Sequence, residues 1–240
     1  MKALALDALL LVGGLGTRLR ETVPGRPKPL AEVAGRPFVE WLLLDLRRQD
    51  VRRVTFCTGH LGEQFADRFG DGADWEMEFA YSHETSPLGT AGAIRLALGV
   101  VEASRFLVLN GDSYCPWDLR RLQDAHAARR ARTTLWLARA ARRDRFGSVV
   151  LEEDGRVRSF QEKAPEGAPG LVNAGIYLLE RELIEQGVEP GRASSLERDV
   201  LPGLVGTGLY GVVGDEPLVD MGTAEGKEDA ERVLRHLQHR

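Results

Sequence analysis

The chain has 240 residues, of which 43% are hydrophobic, and it carries a formal net charge of −4 at neutral pH. This length and apolar content suit one large α/β domain or two small ones with a sizeable core. The acidic balance argues against nucleic acid as the main partner. The chain has two cysteines, Cys57 and Cys115, without C-x-x-C spacing, so neither a disulfide framework nor a zinc site is predicted.

The N-terminal residues 1–6 place one lysine before an apolar run, as a secretory signal would. Asp7 interrupts that run, no small-x-small cleavage site follows, and a cut near Gly13 would destroy a glycine-rich loop. No apolar run reaches the roughly 18 residues that a membrane helix needs. We therefore expect a protein of the reducing cytoplasm that has no membrane partner.

The apolar run at residues 8–12 predicts a buried first strand, and it stops at a loop that reads GGLGTRL over residues 13–19. The glycines let the backbone turn without Cβ clashes, and successive N–H groups in such a turn form an anion site. Two cations follow, namely the rigid guanidinium of Arg18 and the point charge of Lys28, whose backbone is restricted by a proline on each side. The stretch therefore predicts a polyphosphate site.

Two better-known glycine loops do not match this one. The P-loop requires G-x-x-x-x-G-K-[ST], and no Gly-Lys pair follows these glycines. The dinucleotide fingerprint G-x-G-x-x-G requires a glycine at its sixth position, which holds Leu19 when the motif is started at Gly14. A third alternative is a glycine-rich turn that binds nothing, and the cations that follow argue against it.

These residues resemble the signature of the sugar-1-phosphate nucleotidyltransferases, also called nucleotide-sugar pyrophosphorylases. That signature is a strand followed by G-G-x-G-T-R-L and then P-K-P, which residues 13–19 and 27–29 match in full. The resemblance extends from about Asp7 to the last predicted helix. It implies an enzyme that joins a nucleoside triphosphate to a sugar 1-phosphate and releases pyrophosphate.

In chain order, the first half alternates between helix and strand, with helices predicted at 37–49, 62–69 and 90–98 and strands at 51–58, 75–81 and 106–109. The second half is richer in strands, predicted at 133–139, 148–152, 157–161, 172–179, 208–213 and 218–220, with a hairpin turn at 153–155. Further helices are predicted at 117–130, 181–186, 195–201 and 223–236.

This pattern favours an α/β fold, with a Rossmann-like mixed, mostly parallel sheet flanked by helices. We expect one nucleotidyltransferase domain over residues 1–240. Its nucleotide-binding half would run from 1 to about 115, and its sugar-binding half from about 116 to 240.

The implied reaction brings two anions together. A phosphate oxygen of the sugar attacks the α-phosphorus, and because a phosphomonoester has its second pKa near about 6, that phosphate is largely dianionic and needs no general base. Catalysis should therefore depend on positive charge and positioning, including Mg²⁺ held by carboxylates.

We predict Asp112 and Asp220 as the metal ligands. Each lies at the carboxyl end of a predicted strand, where ligands bind in open α/β sheets. An isolated aspartate at a strand end more often caps a turn or a helix. The resemblance decides between the two, because the family's metal aspartates occupy the G-D and D-x-G-T contexts found here.

For the triphosphate, Arg18 is expected to neutralise the β- and γ-phosphates and Lys28 to reach the α-phosphate. The other predicted nucleotide contacts come from the first strand, the glycine loop and the segment 84–92, namely Leu11, Gly13, Gly14, Gly16, Thr17, Glu84, Gly89 and Thr90. For the sugar phosphate, the family's R-F-G, E-K and N-x-G motifs imply Gly147, Glu162, Lys163, Asn173 and Gly175. A Glu-Lys pair without the resemblance would usually mean an exposed surface.

Glu84 is predicted to select the base. An ionised carboxylate can only accept hydrogen bonds, so it suits guanine, which offers two donors, or uracil, which offers one. It disfavours cytosine and adenine, which present a ring-nitrogen acceptor. Thymidylyl- and uridylyl-specific relatives often have glutamine here, and the form E-x-x-P-L-G-T-A-G resembles the guanylyltransferases, so GTP is expected.

The compact length and the run FLVLNGDSY at residues 106–114 resemble the heptose-1-phosphate guanylyltransferases, with mannose-1-phosphate guanylyltransferases and uridylyltransferases of the muramate or glucose 1-phosphate type as alternatives. A glycosyltransferase would need a D-x-D motif, which Asp112-Ser113-Tyr114 lacks. A non-catalytic nucleotide-sugar-binding regulatory subunit would be expected to lose part of the charged set, which is intact. The sequence is compatible with a homo-oligomer but does not specify one.

Overall fold

The computed structural model describes residues 6–14, 25–141, 146–161, 169–221 and 224–237, with the backbone alone for 224, 225, 236 and 237. In chain order the elements are β1 (Asp7–Leu11), β2 (Glu32–Val33), β3 (Arg36–Pro37), α1 (Phe38–Arg48), β4 (Arg53–Thr58), α2 (Glu63–Phe69), β5 (Glu78–His83), α3 (Gly89–Ala97), β6 (Arg105–Asn110), β7 (Ser113–Tyr114), α4 (Leu119–Arg129), β8 (Thr133–Ala140), β9 (Ser148–Leu151), β10 (Val157–Gln161), β11 (Gly170–Glu180), α5 (Arg181–Gly187), β12 (Leu209–Val213), β13 (Val219–Asp220) and α6 (Ala224–Leu237). Short 3₁₀ turns at Lys28–Leu30, Ala73–Trp75 and Leu201–Leu204 and a π-helical turn at Leu196–Val200 complete the set.

The fold is built on a nine-stranded sheet whose main path is β10-β9-β11-β6-β1-β4-β5, with β8 paired to β11 and β12 paired to β8. The first-half strands β1, β4, β5 and β6 are mutually parallel. Strand β11 runs antiparallel to β6, β8 and β9, and β10 runs antiparallel to β9. The prediction of a mixed, mostly parallel sheet with flanking helices is confirmed. Strands from both predicted halves share this sheet, and the division of binding between the halves stays a prediction.

Strand β1 lies inside the sheet because its side chains are apolar on both faces. It pairs with β4 on one side and with β6 on the other. Leu10 packs in one core with side chains of α1 and α2, whereas Leu9 packs in a second core with side chains of α3 and α5. A near-continuous apolar run is typical of a parallel strand that is buried on both faces. Residues 12–14 therefore follow directly from a strand that is buried on both faces.

The strand predicted at 75–81 begins later than predicted, at Glu78. Residues 73–75 instead form a 3₁₀ turn, flanked by Gly72 at φ 93° and Glu76 at φ 54°. Both flanking residues lie in the left-handed region, which an extended strand does not use. The prediction was therefore wrong for the first residues of that strand.

The hairpin turn at residues 153–155 is confirmed. Strands β9 and β10 are antiparallel neighbours, and the Gly155 N–H donates to the Glu152 carbonyl at 3.0 Å. Gly155 takes a φ of 85°, which glycine adopts without a Cβ clash. Among the helices that the structure describes, none has the length and apolar content to cross a bilayer.

Candidate active site

The candidate site forms where β1, β4, β5 and β6 end together. Leu11 at the end of β1 is in register with Cys57 of β4 and with Asn110 of β6. The chain segments that leave these strand ends carry Gly13, Glu84 and Asp112. In parallel sheets the carboxyl ends lie at one edge, so predicted nucleotide and metal residues from three strands meet there.

Lys28 and Asp112 form an ion pair at this edge, with 2.8 Å between Nζ and Oδ2. The Lys28 side chain is 11% exposed and that of Asp112 is 47% exposed, so the carboxylate remains open to solvent. Lys28 begins a 3₁₀ turn, and its carbonyl accepts the Ala31 N–H at 3.0 Å. The two predicted charges are thus brought together, with the ammonium held on a short, proline-restricted turn.

A small two-stranded ribbon brings the backbone of Asp220 next to that of Asp112. Strands β7 and β13 are antiparallel, and Asp220 is paired with Ser113, the neighbour of Asp112. The Met221 N–H donates to the Asp112 carbonyl at 2.8 Å, which extends the pairing past the end of the ribbon. The backbones of Asp112 and Asp220 are therefore adjacent, as a shared metal ion would require.

The donor set fits a metal that also takes ligands from phosphates and water. Among the described residues there is no group of three or more histidine, cysteine, aspartate or glutamate side chains arranged for a metal ion. Two carboxylates from adjacent strands remain. Magnesium commonly takes one or two carboxylates from a protein and fills its octahedron with phosphate oxygens and water.

The loops at the strand ends pack backbone against backbone. A Cβ on Gly59 would lie 2.8 Å from the Gly13 carbonyl oxygen and 2.9 Å from Glu84 Oε1, and a Cβ on Gly111 would lie 2.7 Å from the Leu11 carbonyl oxygen. Gly14 differs, because no described atom lies within 4 Å of the place its Cβ would take. Packing explains the first two glycines, whereas no described atom gives a packing reason for Gly14, and its contact with a nucleotide stays a prediction.

This contrast predicts different effects for two alanine substitutions. Gly59→Ala should destabilise the protein by about 1–3 kcal/mol, because the added methyl overpacks the contact with Gly13 and Glu84. Gly14→Ala should leave stability within about 0.5 kcal/mol and weaken GTP binding. Denaturant unfolding and calorimetric GTP titration would measure both. A Gly14→Ala protein that is as destabilised as Gly59→Ala would contradict the assignment.

Glu84 lies between the strand-end loops that carry Gly13 and Gly59. Its Oε2 accepts the Leu88 N–H at 3.0 Å, and its own N–H donates to the Thr58 carbonyl at 2.9 Å. Burial raises the pKa of the Glu84 carboxyl, while the Leu88 N–H and His83 partly oppose the shift. The carboxylate is thus fixed at one oxygen, close to the glycine loop.

Gly89 and Thr90 begin α3 and are covered by the segment 194–197. Gly89 has a φ of 69°, and a Cβ there would lie 2.6 Å from the Ser194 carbonyl oxygen. Thr90 Oγ1 donates to Glu197 Oε2 at 2.7 Å and accepts the Leu196 N–H at 2.7 Å. Both residues therefore have partners within the protein, and their contact with a nucleotide stays a prediction.

The predicted sugar residues Gly147, Asn173 and Gly175 come together around a bulge of β11. The Asn173 N–H donates to the Gly147 carbonyl at 2.8 Å. Gly175 has a φ of 75°, and a Cβ there would lie 2.8 Å from Asn110 Nδ2 and 2.9 Å from Ser113 Oγ. The bulge thus places the predicted sugar residues next to the strand end that carries Asp112.

Two residues of this region were missed by sequence reasoning. Tyr177 OH receives a hydrogen bond from Asn173 Nδ2 at 2.8 Å and donates to Glu197 Oε1 at 3.0 Å. The spacing of Tyr177 from Asn173 within one strand was a signal for the first. Nothing local marks Glu197, because its segment was predicted only as a short helix at 195–201. Five predicted site residues lie outside the described residues, namely Gly16, Thr17, Arg18, Glu162 and Lys163.

Comparison with known proteins gives a family and close relatives. The profile of the family described as nucleotidyl transferase matches residues 7–232. The chain is 38% identical over 222 residues to mannose-1-phosphate guanylyltransferase of Mycobacterium tuberculosis, which covers 91% of this chain and 62% of that enzyme. It is 32% identical over 232 residues to D-glycero-alpha-D-manno-heptose 1-phosphate guanylyltransferase of Aneurinibacillus thermoaerophilus, which covers 96% of this chain and 99% of that enzyme.

A solved structure gives a similar fold at comparable identity. HddC from Yersinia pseudotuberculosis, complexed with GMP-PN, superposes with a TM-score of 0.83 at 30% identity. The match covers 95% of this chain and 99% of that one. The chain thus spans less than two thirds of the mycobacterial enzyme but almost the whole length of the Aneurinibacillus enzyme and of HddC.

Proposed function

Because this chain belongs to the nucleotidyl transferase family, we propose that it transfers a guanylyl group from GTP to a sugar 1-phosphate of the heptose or mannose type and releases pyrophosphate. The observation that carries the proposal is the meeting of Lys28, Asp112 and the strand of Asp220 beside the glycine loop. One ammonium contacts one carboxylate there, beside the strand of a second aspartate, which supports a metal–triphosphate at this edge of the sheet. The guanylyltransferase names of the relatives support the choice of reaction.

Lys28 stabilises the charge that develops at the α-phosphate. Its ammonium has three donors, and the bond to Asp112 uses one of them. The remaining donors can reach phosphate oxygens without leaving the carboxylate. The side chain is mostly buried and its turn is restricted, so little reorganisation is needed when the attacking phosphate arrives.

Members of this family generally use a divalent metal ion, and we propose Mg²⁺ at Asp112 and Asp220. A bound Mg²⁺ would supply positive charge that offsets the phosphates of both substrates. The chain's own part is to bring the two aspartates close together in the fold, through the pairing of Asp220 with Ser113, the neighbour of Asp112. Asp112 is also the partner of Lys28, so it organises both positive charges of the site.

Glu84 supports guanine as the base. The Leu88 N–H holds Oε2, and the ionised carboxylate presents acceptors only. Guanine N1–H and the exocyclic amine are both donors and match this pattern. HddC, a relative with 30% identity, was solved with GMP-PN, which is in line with that choice.

Glu84→Gln should relax the preference for GTP over UTP by about tenfold, because the amide adds a donor where guanine also donates. Competition assays with mixed triphosphates would measure the ratio. Glu63→Gln, at the exposed start of α2, is the matched control and should leave the ratio unchanged. An unchanged ratio in Glu84→Gln would contradict the carboxylate's role in selecting the base.

We propose the cytoplasm as the compartment. Cys57 and Cys115 are both buried and unpaired, as expected where thiols stay reduced. Burial raises the pKa of each thiol to about 12, so neither is a reactive thiolate at neutral pH.

The test of the proposed function is a pyrophosphate-release screen. Each of GTP, UTP, dTTP, ATP and CTP would be paired with mannose, glucose and heptose 1-phosphates, with and without Mg²⁺. The expected result is turnover with GTP and a mannose- or heptose-type sugar, dependent on the metal. Turnover with UTP and no turnover with GTP would favour the uridylyltransferase alternative, and no turnover with any pair would overturn the proposal.

A further inference from the structure

Both carboxylate oxygens of Glu197 are occupied by hydroxyl groups. Oε1 accepts from Tyr177 OH at 3.0 Å, and Oε2 accepts from Thr90 Oγ1 at 2.7 Å and from Ser195 Oγ at 3.0 Å. Because an ionised carboxylate has no proton to give, each hydroxyl must turn its own proton toward it. Glu197 therefore sets the direction of the three hydrogen bonds that these hydroxyl groups donate to it.

The hydrogen bond that Tyr177 donates to Glu197 also determines how Tyr177 bonds to Asn173. With its proton committed to Glu197, the Tyr177 oxygen offers a lone pair, and Asn173 Nδ2 donates to it at 2.8 Å. The other end of the amide is also defined, because the Gly175 N–H donates to Asn173 Oδ1 at 3.1 Å. Two independent partners thus hold the Asn173 amide in one orientation. One Nδ2 hydrogen is used, and the other has no acceptor among the residues that the structure describes.

Tyr177 keeps its proton, and with it the same role in the hydrogen-bond network. Its side chain is fully buried, and burial together with the nearby Glu197 charge raises its pKa well above the usual tyrosine range. The phenol therefore keeps its proton at any pH at which the protein would work. A hydrogen bond in such a dry environment is stronger than one at the surface.

The Glu197 carboxylate also contacts a residue on the nucleotide side of the site. Thr90 stands at the start of α3, directly after the segment that carries Glu84, and its hydroxyl is held between Glu197 and the Leu196 N–H. Asn173 belongs to β11, which pairs with β6 next to the strand end that carries Asp112. Glu197 thus connects the helix of the predicted base-reading segment to the strand of the predicted sugar residues.

We propose that Glu197 is a positioning residue that, through Tyr177, orients the Asn173 amide for a hydroxyl group of the sugar. This rests on the proposed function, which supplies the sugar 1-phosphate. Glu197 does not itself touch the reacting phosphates in this assignment. Its loss should therefore affect the sugar more than the nucleotide or the chemical step.

The test compares Glu197→Ala, Glu197→Gln and Tyr177→Phe with Glu189→Gln, an exposed carboxylate that pairs with Arg192. Tyr177→Phe should raise the KM for the sugar 1-phosphate about tenfold, with the KM for GTP within about twofold, because Thr90 keeps its bond to Glu197. Glu197→Ala should raise the KM for the sugar 1-phosphate by a similar factor. Glu197→Gln keeps an acceptor for Tyr177 and should restore most of the loss. The double variant Glu197→Ala/Tyr177→Phe should lose no more than either single variant, because both break one path.

A second measurement does not depend on turnover. The side-chain amide signals of Asn173 in a ¹⁵N-labelled protein, identified by their absence in Asn173→Asp, should shift or broaden in Glu197→Ala and Tyr177→Phe but not in Glu189→Gln. If the wild type makes no GDP-sugar, the proposed function fails while these signals still test the hold of Glu197 on Asn173. Equal KM increases for both substrates in Tyr177→Phe, additive sugar-KM losses in the double variant, or unchanged amide signals would overturn the proposal.

Discussion

Asp112→Asn is expected to lower kcat/KM by at least about 10³-fold while leaving the fold intact, because it removes the charge that organises both cations of the site. The carboxylate is half exposed, and its backbone is held by the Met221 N–H, so an amide of the same shape fits without repacking. Steady-state kinetics at saturating Mg²⁺ would measure the loss. Mn²⁺ binding followed by electron paramagnetic resonance should weaken in parallel.

Asp124→Asn is the matched control for this variant, because Asp124 is an exposed aspartate on α4 away from the strand ends. It removes the same charge and should leave turnover and Mn²⁺ binding unchanged. Thermal unfolding should show all three proteins with similar midpoints. Full activity in Asp112→Asn would mean that the metal ligands have been assigned to the wrong place.

Lys28→Met is expected to lower kcat/KM by about 10²–10³-fold, the usual cost of removing one preorganised group that stabilises transition-state charge. The loss should fall mainly on kcat, because the developing charge, and not the bound substrate, depends on the ammonium. Single-turnover measurements with GTP in excess would separate the chemical step from binding.

Metal binding to the ligand-free protein is a second measurement on Lys28→Met. Its expected change is opposite in direction to the change in turnover. Nζ lies 2.8 Å from Asp112 Oδ2, so the ammonium competes with any cation for that carboxylate. Lys28→Met should therefore bind Mn²⁺ at least as tightly as the wild type while losing turnover. Lys28→Arg keeps the charge but replaces a compact donor with a planar fork, and we expect an intermediate rate. Weaker Mn²⁺ binding in Lys28→Met would contradict this competition.

Much of the sheet could be predicted from local patterns. The apolar run at residues 8–12 gave β1 within one residue, since a strand buried on both faces needs apolar side chains at every position. The strand at 75–81 was placed too early because alternation alone cannot detect the two left-handed residues, Gly72 and Glu76, that delay it. Turn conformations of this kind depend on packing around the loop, which a local pattern does not contain.

The candidate site was predictable as a set of residue types rather than as a set of contacts. Asp112 and Asp220 were chosen by motif context, and their closeness follows from the pairing of β7 with β13, each of which is two residues long. Strands so short carry almost no periodic signal. Gly89 was predicted to lie against a base, and the structure adds a packing reason for the glycine through the Ser194 carbonyl. The binding roles themselves stay predictions.

By itself the sequence determined the chemistry that the chain can offer, namely a glycine loop after a buried strand, a lysine between two prolines and aspartates at strand ends. Those features are local, so adjacent residues are enough to define them. Tertiary structure alone decided which groups meet: Lys28 with Asp112 across 84 residues, and Glu197 with Thr90 across 107. Contacts at such separations depend on strand order and register in the folded sheet, and no short stretch of sequence encodes either one.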